Sequence, residues 1–438
     1  MTFEIAKNGI PKCEIVIGKN SELPERFAAL ELQKYLERIT GGQFSVRGAR
    51  EKRKSTSNRK LPSIVIGSTS DSRSRKRNED DSFSITKVRE GLVISGNSPR
   101  ATLFGVYWLI QKLGVSFLVP EFDYYQCLGG AEFVTVNRNL KVPETCFGTH
   151  TPAFAWRPKD IGEGASHTKS NILQLIDWIA KMSHNILRCP AQGQGSHSNP
   201  HRTSWDKWRD LVTPELRKRG ILIQVGQHGY QNYLPSDEYF QDHPEWFGKL
   251  NGKRVPMSGS VFCTSNSSAL QEFTKNVIGY IKARPEIDIF DLWPPDSVPW
   301  CDCSNCVALG SESERHAIVV EAIRSALKKE KLRVKLGILA YVHCTEFPER
   351  TPISPEVRLD FCPIYRDYKF ELNDVVSDIN RAEYWDKLLR WRDGWTGEIV
   401  IYEYYMKYRF RSFPIVMPRL IAEEHSTYEK LGIRGLSN

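Results

Sequence analysis

The chain has 438 residues, of which 40% are hydrophobic and 26% are charged, and its formal net charge is +9. The length is too great for one small core, and the composition is that of a globular chain, which excludes disordered and collagen-like proteins. No apolar run approaches the ~20 residues that a membrane span needs. We therefore expect two or three folded domains and no membrane span.

Much of the positive charge lies in two polar runs, at residues 50–60 and 71–81, on either side of a short apolar stretch. Both runs lack the interleaved aromatic residues of a nucleic-acid surface, so we interpret them as solvated loops and expect no nucleic-acid partner. Residues 1–18 contain no apolar signal core followed by a small-residue cleavage site. We expect this chain to be cytoplasmic or to have lost its leader.

Residues 1–145 are predicted to form a small α/β domain, in which β-rich runs alternate with helical patterns. The first helix should end at Gly41, because glycine pairs commonly stop a helix. The second helix is apolar around nearly its whole circumference, which predicts that it is buried. The predicted elements are strands at residues 13–18, 63–67 and 91–96 and helices at residues 21–42 and 98–114.

Residues 151–438 alternate strand and helix with high regularity, which is the pattern of a (β/α)8 barrel of the TIM type. An open doubly wound sheet is the alternative, but eight parallel strands suit barrel closure better. The predicted strands are residues 153–162, 186–191, 221–230, 287–296, 334–344, 357–368, 398–408 and 433–438. The sequence ends on the eighth strand, so we expect a C-terminally truncated barrel whose last helix is absent from the chain.

Chemistry in such barrels takes place at the C-terminal ends of the strands. The predicted strand ends are rich in carboxylates, arginine and aromatic residues. Aromatic faces stack on sugar rings while carboxylates and arginine bond the hydroxyl groups, so this inventory predicts a carbohydrate site. The expected substrate-binding residues are Arg157, His228, Trp293, Tyr365, Arg366 and Tyr405.

Glycoside hydrolysis needs two carboxyl groups, one on each side of the scissile bond. Asp296 and Glu403 are the best-placed pair, because both end apolar strands and both are flanked by aromatic residues that would desolvate them. Asp367 is a third catalytic candidate, although it follows Arg366 and an ion pair between them is the alternative. Each of these acids could instead be a loop acid or a salt-bridge partner.

Three cysteines, Cys301, Cys303 and Cys306, follow Asp296 in a C-x-C-x-x-C pattern. A zinc site would need a fourth ligand, for which Cys263 is the distant candidate, since neither a second CxxC nor a His pair follows. A redox pair and a local cross-link are the other interpretations. All three make the cysteines a support for the loop after Asp296, and we expect no cofactor.

Several stretches resemble the domain-of-unknown-function family 4838, which includes glycoside hydrolase family 163. Residues 292–306, LWPPDSVPWCDCSNC, are similar to its P-N-D-G…C-x-C-x-x-C signature, with Pro295 in place of Asn and Ser297 in place of Gly. Residues 243–254, 361–368 and 401–408 agree in order and spacing. Residues 90–120 are similar to the non-catalytic domain that precedes the barrel in α-glucuronidases and β-hexosaminidases.

This resemblance implies a secreted or periplasmic glycan-degrading enzyme with a longer C-terminal part. Characterised members resemble endo-β-N-acetylglucosaminidases, in which the substrate's acetamido group serves as nucleophile. Asp296 or Glu403 would then be the acid and the other the orienting group. We expect a glycoside hydrolase with a glycan as its substrate; the alternatives are an α-glucuronidase-like hydrolase, which keeps Asp367 with Glu403 as a candidate pair, and a degenerate carbohydrate-binding barrel.

Overall fold

The computed structural model describes residues 2–49, 61–67, 80–122, 132–161, 168–191, 204–405 and 416–437. The run at 50–60, and all but the last two residues of the run at 71–81, lie outside the described residues. Two compact units comprise Met1–Arg157, Gly164–Leu187 and Asp210–Leu222 in the first, and Pro158–Glu163, Arg188–Arg209 and Ile223–Asn438 in the second. The predicted division into residues 1–145 and 151–438 stays a prediction.

The first unit contains a six-stranded sheet in the order β12-β7-β8-β6-β4-β5. Strands β4, β5, β6 and β8 are parallel, whereas β7 and β12 form an antiparallel edge. The three predicted strands correspond to β4, β6 and β8. The strands of this unit within the described residues are β1 Phe3–Glu4, β2 Ala6–Lys7, β3 Ile10–Pro11, β4 Glu14–Ile17, β5 Val46–Gly48, β6 Ser63–Ile66, β7 Phe83–Val88, β8 Gly91–Gly96, β9 Val115–Phe117, β10 Glu132–Val134, β11 Lys141–Val142 and β12 Gly148–His150.

Two helices, α1 (Leu23–Thr40) and α2 (Pro99–Lys112), pack against each other in the first unit. The side chains of Glu22 and Glu25 form a capping box at the start of α1. The helix ends where Gly41 takes a left-handed φ of 75°, which confirms the predicted end. The side chains along most of α2 are buried, as its all-round apolar pattern predicted.

A buried acid, Asp81, ties several segments of the first unit together. Its carboxylate accepts hydrogen bonds from Arg100 Nε at 2.9 Å, Arg157 Nη2 at 2.7 Å and Asn185 Nδ2 at 2.8 Å. The side chain of Asp81 has no exposed surface. Because two guanidinium groups depend on this one carboxylate, its removal leaves buried positive charge without a partner.

The second sheet has eight strands, each bonded to the next along the chain, in the order β13-β14-β15-β18-β19-β20-β21-β22. The last strand lies beside the first, so the sheet nearly closes into the predicted barrel. The sequential order excludes the doubly wound alternative, in which the strand order reverses at a switch point. The strands are β13 Pro158–Asp160, β14 Ile186–Pro190, β15 Leu222–Gly226, β18 Ile289–Asp291, β19 Lys335–Ala340, β20 Arg358–Phe361, β21 Glu398–Tyr402 and β22 Gly435–Ser437; β16 Lys249–Leu250 and β17 Lys253–Arg254 form a separate hairpin.

The helices of this part of the chain are amphipathic and follow the predicted alternation, and Pro214 lies inside α4. A π-helical turn at Arg381–Trp385 leads into α10. None of the helices in the described ranges is long and apolar enough to cross a membrane. The helices are α3 Lys169–Lys181, α4 Trp205–Arg219, α5 Ser236–Tyr239, α6 Ser267–Lys282, α7 Ser304–Ala308, α8 Glu312–Lys329, α9 Asp378–Asn380, α10 Asp386–Gly394 and α11 Pro418–Lys430.

Most barrel strands are shorter than their apolar patterns predicted. Strand β18 ends at Asp291, five residues before Asp296. Pro294 and Pro295 lack the backbone N–H that a ladder needs, so the chain must leave the sheet before them. Asp296 therefore lies on a loop beyond the C-terminal end of β18.

A cluster of charged side chains lies inside the barrel. Arg188 on β14 contacts Asp160 at 3.2 Å, Asp291 at 3.6 Å and Asp360 at 2.6 Å, and its side chain has no exposed surface. The contact between β14 and β20 joins strands that are not neighbours in the sheet, so it crosses the barrel interior. The acids come from three different strands and meet only because the sheet curves around Arg188.

A second arginine extends the cluster. Arg358 donates to Gln224 Oε1 at 2.7 Å, and Gln224 Nε2 donates to Asp291 Oδ1 at 2.7 Å. Gly337 leaves room for this acid, since a Cβ atom there would lie 2.3 Å from Asp291 Oδ1. Burial raises the pKa of Asp291 to about 7; Arg188 opposes the rise and Asp360 adds to it.

We predict that Asp81→Asn destabilises the first unit. Asparagine tolerates the left-handed φ of 56° at this position but removes the charge that pairs with Arg100 and Arg157. The free energy of unfolding should fall by about 3 kcal/mol in urea denaturation. Asp378→Asn, which removes a highly exposed partner of Arg381, is the control and should change little. A loss for Asp81→Asn no larger than the control's contradicts the anchoring role.

We predict a pH-dependent contribution of Asp291 to stability. Its pKa of about 7 in the folded protein lies above the unfolded value of an aspartate, so the folded state binds a proton more tightly in the interval between the two. The resulting stabilisation is full at low pH and is lost as the pH rises through the folded pKa.

The stability advantage of the wild type over Asp291→Asn should therefore shrink by on the order of 2 kcal/mol between about pH 5 and about pH 8 in urea titrations. Asp378→Asn provides the matched amide control. A pH-independent difference between wild type and Asp291→Asn would show that the folded protein does not raise this pKa.

Candidate functional site

Loops with left-handed backbone follow three neighbouring strands of the barrel. Gln227 after β15 has a φ of 63°, Ser297 beyond β18 has 55°, and Val342 after β19 has 47°. A β-branched residue such as Val342 rarely adopts this region, and such a residue costs roughly 1–3 kcal/mol. Strain of this kind persists where surrounding contacts fix the chain, and it is concentrated at functional sites.

Asp296 lies on the loop after β18 and is partly exposed. Its Oδ1 accepts a hydrogen bond from the hydroxyl of Ser297 at 3.1 Å. Burial raises the pKa of Tyr341, and the charge of the nearby Asp296 adds to the rise. The carboxyl group thus accepts from the Ser297 hydroxyl, lies near Tyr341 and is still reachable from solvent.

His228 and aromatic side chains line the mouth of the barrel around Tyr341. The ring of His228 lies 5.3 Å from that of Trp293 and 5.7 Å from that of Tyr341. Its Nδ1 lies 2.6 Å from the carbonyl oxygen of Pro294, and because a carbonyl only accepts, Nδ1 carries the proton. The structure thus brings two predicted binding residues, His228 and Trp293, close to Tyr341.

Trp293 belongs to an apolar cluster with residues from β19 to β21 and the segments after them. The Tyr402 ring meets it edge to face at 6.4 Å, and Tyr404 lies 5.0 Å from Tyr402. Cys362 completes the contact on the β20 side. Tyr365, predicted to bind substrate, is 49% exposed, and its backbone N–H donates to the Tyr384 hydroxyl. A sugar could therefore contact Tyr365 without any rearrangement of the core.

Glu403 is enclosed in a buried ionic network. Arg366 Nη1 lies 2.9 Å from Glu403 Oε1, and the hydroxyl of Tyr428 donates to the same oxygen at 2.6 Å. Arg366 also pairs with Glu424, which accepts from the hydroxyl of Tyr405 at 2.8 Å. Burial raises the pKa of Glu403, and Arg366 opposes that rise. Three predicted site residues thus come together in the interior, where Arg366 bonds Glu403 and Tyr405 is linked to Arg366 through Glu424.

Asp367 does not share that network. It is partly exposed, its Oδ1 accepts from the backbone N–H of Lys369 at 3.0 Å, and its own N–H donates to Asn380 Oδ1 at 2.7 Å. Arg366 contacts Glu403 and Glu424 rather than Asp367. Its carboxylate therefore helps to form the turn at residues 367–369.

Arg157 occupies a different environment from the one its prediction as a binding residue assumed. It precedes β13 in the chain, before the strand begins. Its guanidinium donates to Asp81, to the carbonyl of Ser183 at 2.7 Å and to that of Phe154 at 2.6 Å. The predicted strand covered residues 153–162, whereas the observed strand β13 covers Pro158–Asp160. Arg157 therefore lies on the N-terminal side of the strand and is not carried into the candidate site.

Sequence reasoning left out the charged residues of the barrel interior, above all Arg188 and Asp360. The signal was present, because each interrupts an otherwise apolar strand, in ILRCP and RLDF. Buried charges within apolar strands are uncommon unless they are paired. Asp160 also became important only in the structure, where it accepts a hydrogen bond from the hydroxyl of Tyr402.

The three clustered cysteines meet a fourth in the structure. The Sγ atoms of Cys263, Cys301, Cys303 and Cys306 all lie within 4.8 Å of one another. Three of the four side chains are buried, and Cys303 is partly exposed. Four thiols in this arrangement are the donor set that structural zinc prefers. Cys263, considered only as a distant ligand from the sequence, is thus a member of the cluster.

Solved structures share this fold at low sequence identity. A Flavobacterium johnsoniae chitobiase is 15% identical over 100% of this chain and 62% of that chain, with a TM-score of 0.58. A family GH115 4-O-methyl-α-glucuronidase, with specificity for decorated arabinogalactans, is 12% identical over 99% of this chain and 54% of that one, with a TM-score of 0.59. The chain thus spans less than two thirds of either protein.

A GH20 β-N-acetylhexosaminidase from Streptomyces coelicolor A3(2) is 13% identical over 100% of this chain and 82% of that chain, with a TM-score of 0.56. At these identities the similarity establishes a shared fold. No curated protein matches the sequence. The model of the domain of unknown function DUF4838 matches residues 131–438, more than half of the chain, so this protein belongs to the DUF4838 family.

Proposed function

We propose that this protein is a glycoside hydrolase that cleaves a β-N-acetylglucosaminide bond in a complex glycan, with Asp296 protonating the leaving oxygen. The observation that carries the proposal is the partly exposed Asp296 carboxyl, which accepts a hydrogen bond from Ser297 at the C-terminal end of the barrel. The fold shared with a chitobiase and a β-N-acetylhexosaminidase supports the reaction class.

The aromatic residues of the mouth suit a sugar. Trp293 and Tyr341 flank the His228 ring, and Tyr365 offers an exposed ring. Aromatic faces cover the apolar face of a pyranose, and polar groups at their edges bond its hydroxyls. We propose that a sugar ring stacks in this mouth with its glycosidic oxygen at Asp296.

The burial and ion pairing of Glu403 support substrate assistance. A protein nucleophile must touch the anomeric carbon, but Glu403 is 1% exposed and bonds Arg366 and Tyr428. We propose that the acetamido oxygen of the substrate attacks the anomeric carbon instead, while the proton of Asp296 passes to the leaving oxygen. Water then opens the oxazolinium ion and returns a proton to Asp296. Glu403 is a positioning residue that holds Arg366.

The finer assignments rest on family resemblance. We propose that the enzyme acts internally on N-glycans like glycoside hydrolase family 163 and that the protein works outside the cytoplasm. We also propose that its first domain is of the type that precedes the barrel in α-glucuronidases and β-hexosaminidases. The described residues of that domain supply a buried ionic anchor at Asp81, which is a structural role.

A carbohydrate-binding barrel without turnover is the second candidate. Two observations favour it: Glu403 is sealed in its ionic network, and Pro295 stands where the family signature has asparagine. Such a protein would bind glycans through the same aromatic mouth. Wild-type protein that binds an N-glycan in calorimetry but releases no product would select this function over hydrolysis.

We predict that Asp296→Asn lowers kcat/KM on an aryl β-N-acetylglucosaminide by about 10²–10⁴, the usual contribution of a general acid. Its melting temperature should match the wild type, because Asp296 is partly exposed. Asp237→Asn, an exposed acid on the segment after β15, is the matched control and should keep full activity. A loss of only a few fold in Asp296→Asn would remove this residue from the acid role.

We predict that Glu403→Gln costs stability more than activity. Removing the charge leaves Arg366 with Glu424 alone, so the free energy of unfolding should fall by about 2–4 kcal/mol. The kcat/KM of the folded variant should fall by less than about 10², the lower bound for a general acid. Glu423→Gln, on the exposed side of α11, is the control for both measurements. A catalytic loss without a stability loss would make Glu403 a reacting group.

A further inference from the structure

Four cysteine sulfurs converge from two segments that are distant in the sequence. Cys263 lies 40 residues before Cys303, and their Sγ atoms are 3.7 Å apart. The Sγ atoms of Cys263 and Cys306 are 3.6 Å apart, and Cys301 completes the group. These separations are too long for a disulfide, whose sulfurs are ~2.05 Å apart.

The spacing fits a tetrahedral metal. Zinc–sulfur bonds of ~2.3 Å in a tetrahedron place neighbouring sulfurs ~3.8 Å apart. The Cys263–Cys306 and Cys263–Cys303 separations of 3.6 and 3.7 Å lie close to this value. Four thiols without a metal have no such requirement, because a thiol pair gains only a weak hydrogen bond from close approach.

Backbone groups around the cluster donate to sulfur. The N–H of Lys249 points to Cys301 Sγ at 3.2 Å, and the N–H of Ser265 points to Cys306 Sγ at 3.4 Å. A backbone N–H only donates, so both sulfurs act as acceptors. Donors of this kind stabilise the negative charge of metal-bound thiolates and orient the ligands.

A positive charge lies beside the same sulfurs. The guanidinium of Arg254, on β17, donates to the carbonyl of Phe247 at 2.6 Å and lies near Cys263, Cys301 and Cys303. Four thiolates and one Zn²⁺ carry a net negative charge, which a neighbouring cation offsets. The surroundings therefore match a charged metal centre better than a neutral knot of thiols.

We propose that Cys263, Cys301, Cys303 and Cys306 bind one structural Zn²⁺ through four thiolates. No position is left open for water or substrate, so the metal has a structural and not a catalytic role. The inference does not depend on the proposed hydrolase activity, because metal binding is measured without a glycan.

The proposed metal joins three parts of the second unit. The β16–β17 hairpin approaches through Asp302, whose N–H donates to the carbonyl of Lys249 at 2.7 Å. Helix α8 contributes Arg315, which donates to the carbonyl of Cys301 at 2.8 Å. The ligand loop begins five residues after Asp296, so the metal would fix the far end of that loop.

The experiment is a metal analysis of the whole chain, produced in zinc-supplemented medium and purified without chelators. We expect about one zinc per chain by plasma mass spectrometry. Exchange with Co²⁺ should give thiolate-to-cobalt charge-transfer bands and the intense visible bands of a tetrahedral sulfur site. Cys306→Ser should bind at least tenfold less zinc, whereas Cys146→Ser, which removes a buried thiol of the first unit, should keep full occupancy.

A misfolded Cys306→Ser would not leave the question open, because wild-type protein treated with a mercurial and a chelator should release its zinc. After excess thiol has displaced the mercurial and the small molecules have been removed, the protein should bind Co²⁺ stoichiometrically. Wild-type protein that contains no stoichiometric metal overturns the proposal. A disulfide among the four cysteines, found by mass spectrometry of the unreduced protein, overturns it as well. Stoichiometric iron in place of zinc overturns the assignment of the metal.

Discussion

The guanidinium of Arg188 is the charge around which the barrel is organised. It contacts Asp160, Asp291 and Asp360, which come from β13, β18 and β20, and the side chains of Arg188, Asp291 and Asp360 have no exposed surface. Removing one partner from a buried ion cluster costs far more than the cluster contributes as a whole, so the arrangement fixes geometry more than it adds stability. Burial without a full set of partners also explains why the pKa of Asp291 is raised.

Aromatic residues at the mouth of the barrel pack against the guanidinium of Arg188. The guanidinium of Arg188 lies 5.1 Å from the Trp293 ring and 5.2 Å from the Tyr402 ring, and Tyr402 in turn bonds Asp160. These rings form the apolar cluster against which Tyr341 packs, and Tyr341 lies near the charge of Asp296. The surroundings of the proposed acid thus depend on an ionic cluster in the barrel interior.

Two further groups of side chains connect the loops of the second unit. Arg366 gathers Glu403 and Glu424, which belong to the end of β21 and to α11. The four cysteines gather the hairpin, the segment before α6 and the loop after Asp296. In both cases the polar groups face each other across chain segments, whereas Asp296 and Tyr365 keep exposed surface.

The class of fold could be predicted from the alternation of apolar strands and amphipathic helices, because that alternation admits few topologies, and the family could be predicted from its motifs. The sequence also predicted Asp296 and Trp293 as site residues, from the place where an apolar strand ends. The burial of Glu403 and the ion pair of Arg157 with Asp81 became visible in the tertiary structure, since burial and ion pairing depend on partners far away in the chain. For the same reason the place of Cys263 beside the other three thiols is visible only in the tertiary structure. The sequence gives the chemical nature of a side chain, but packing between distant segments fixes its partners.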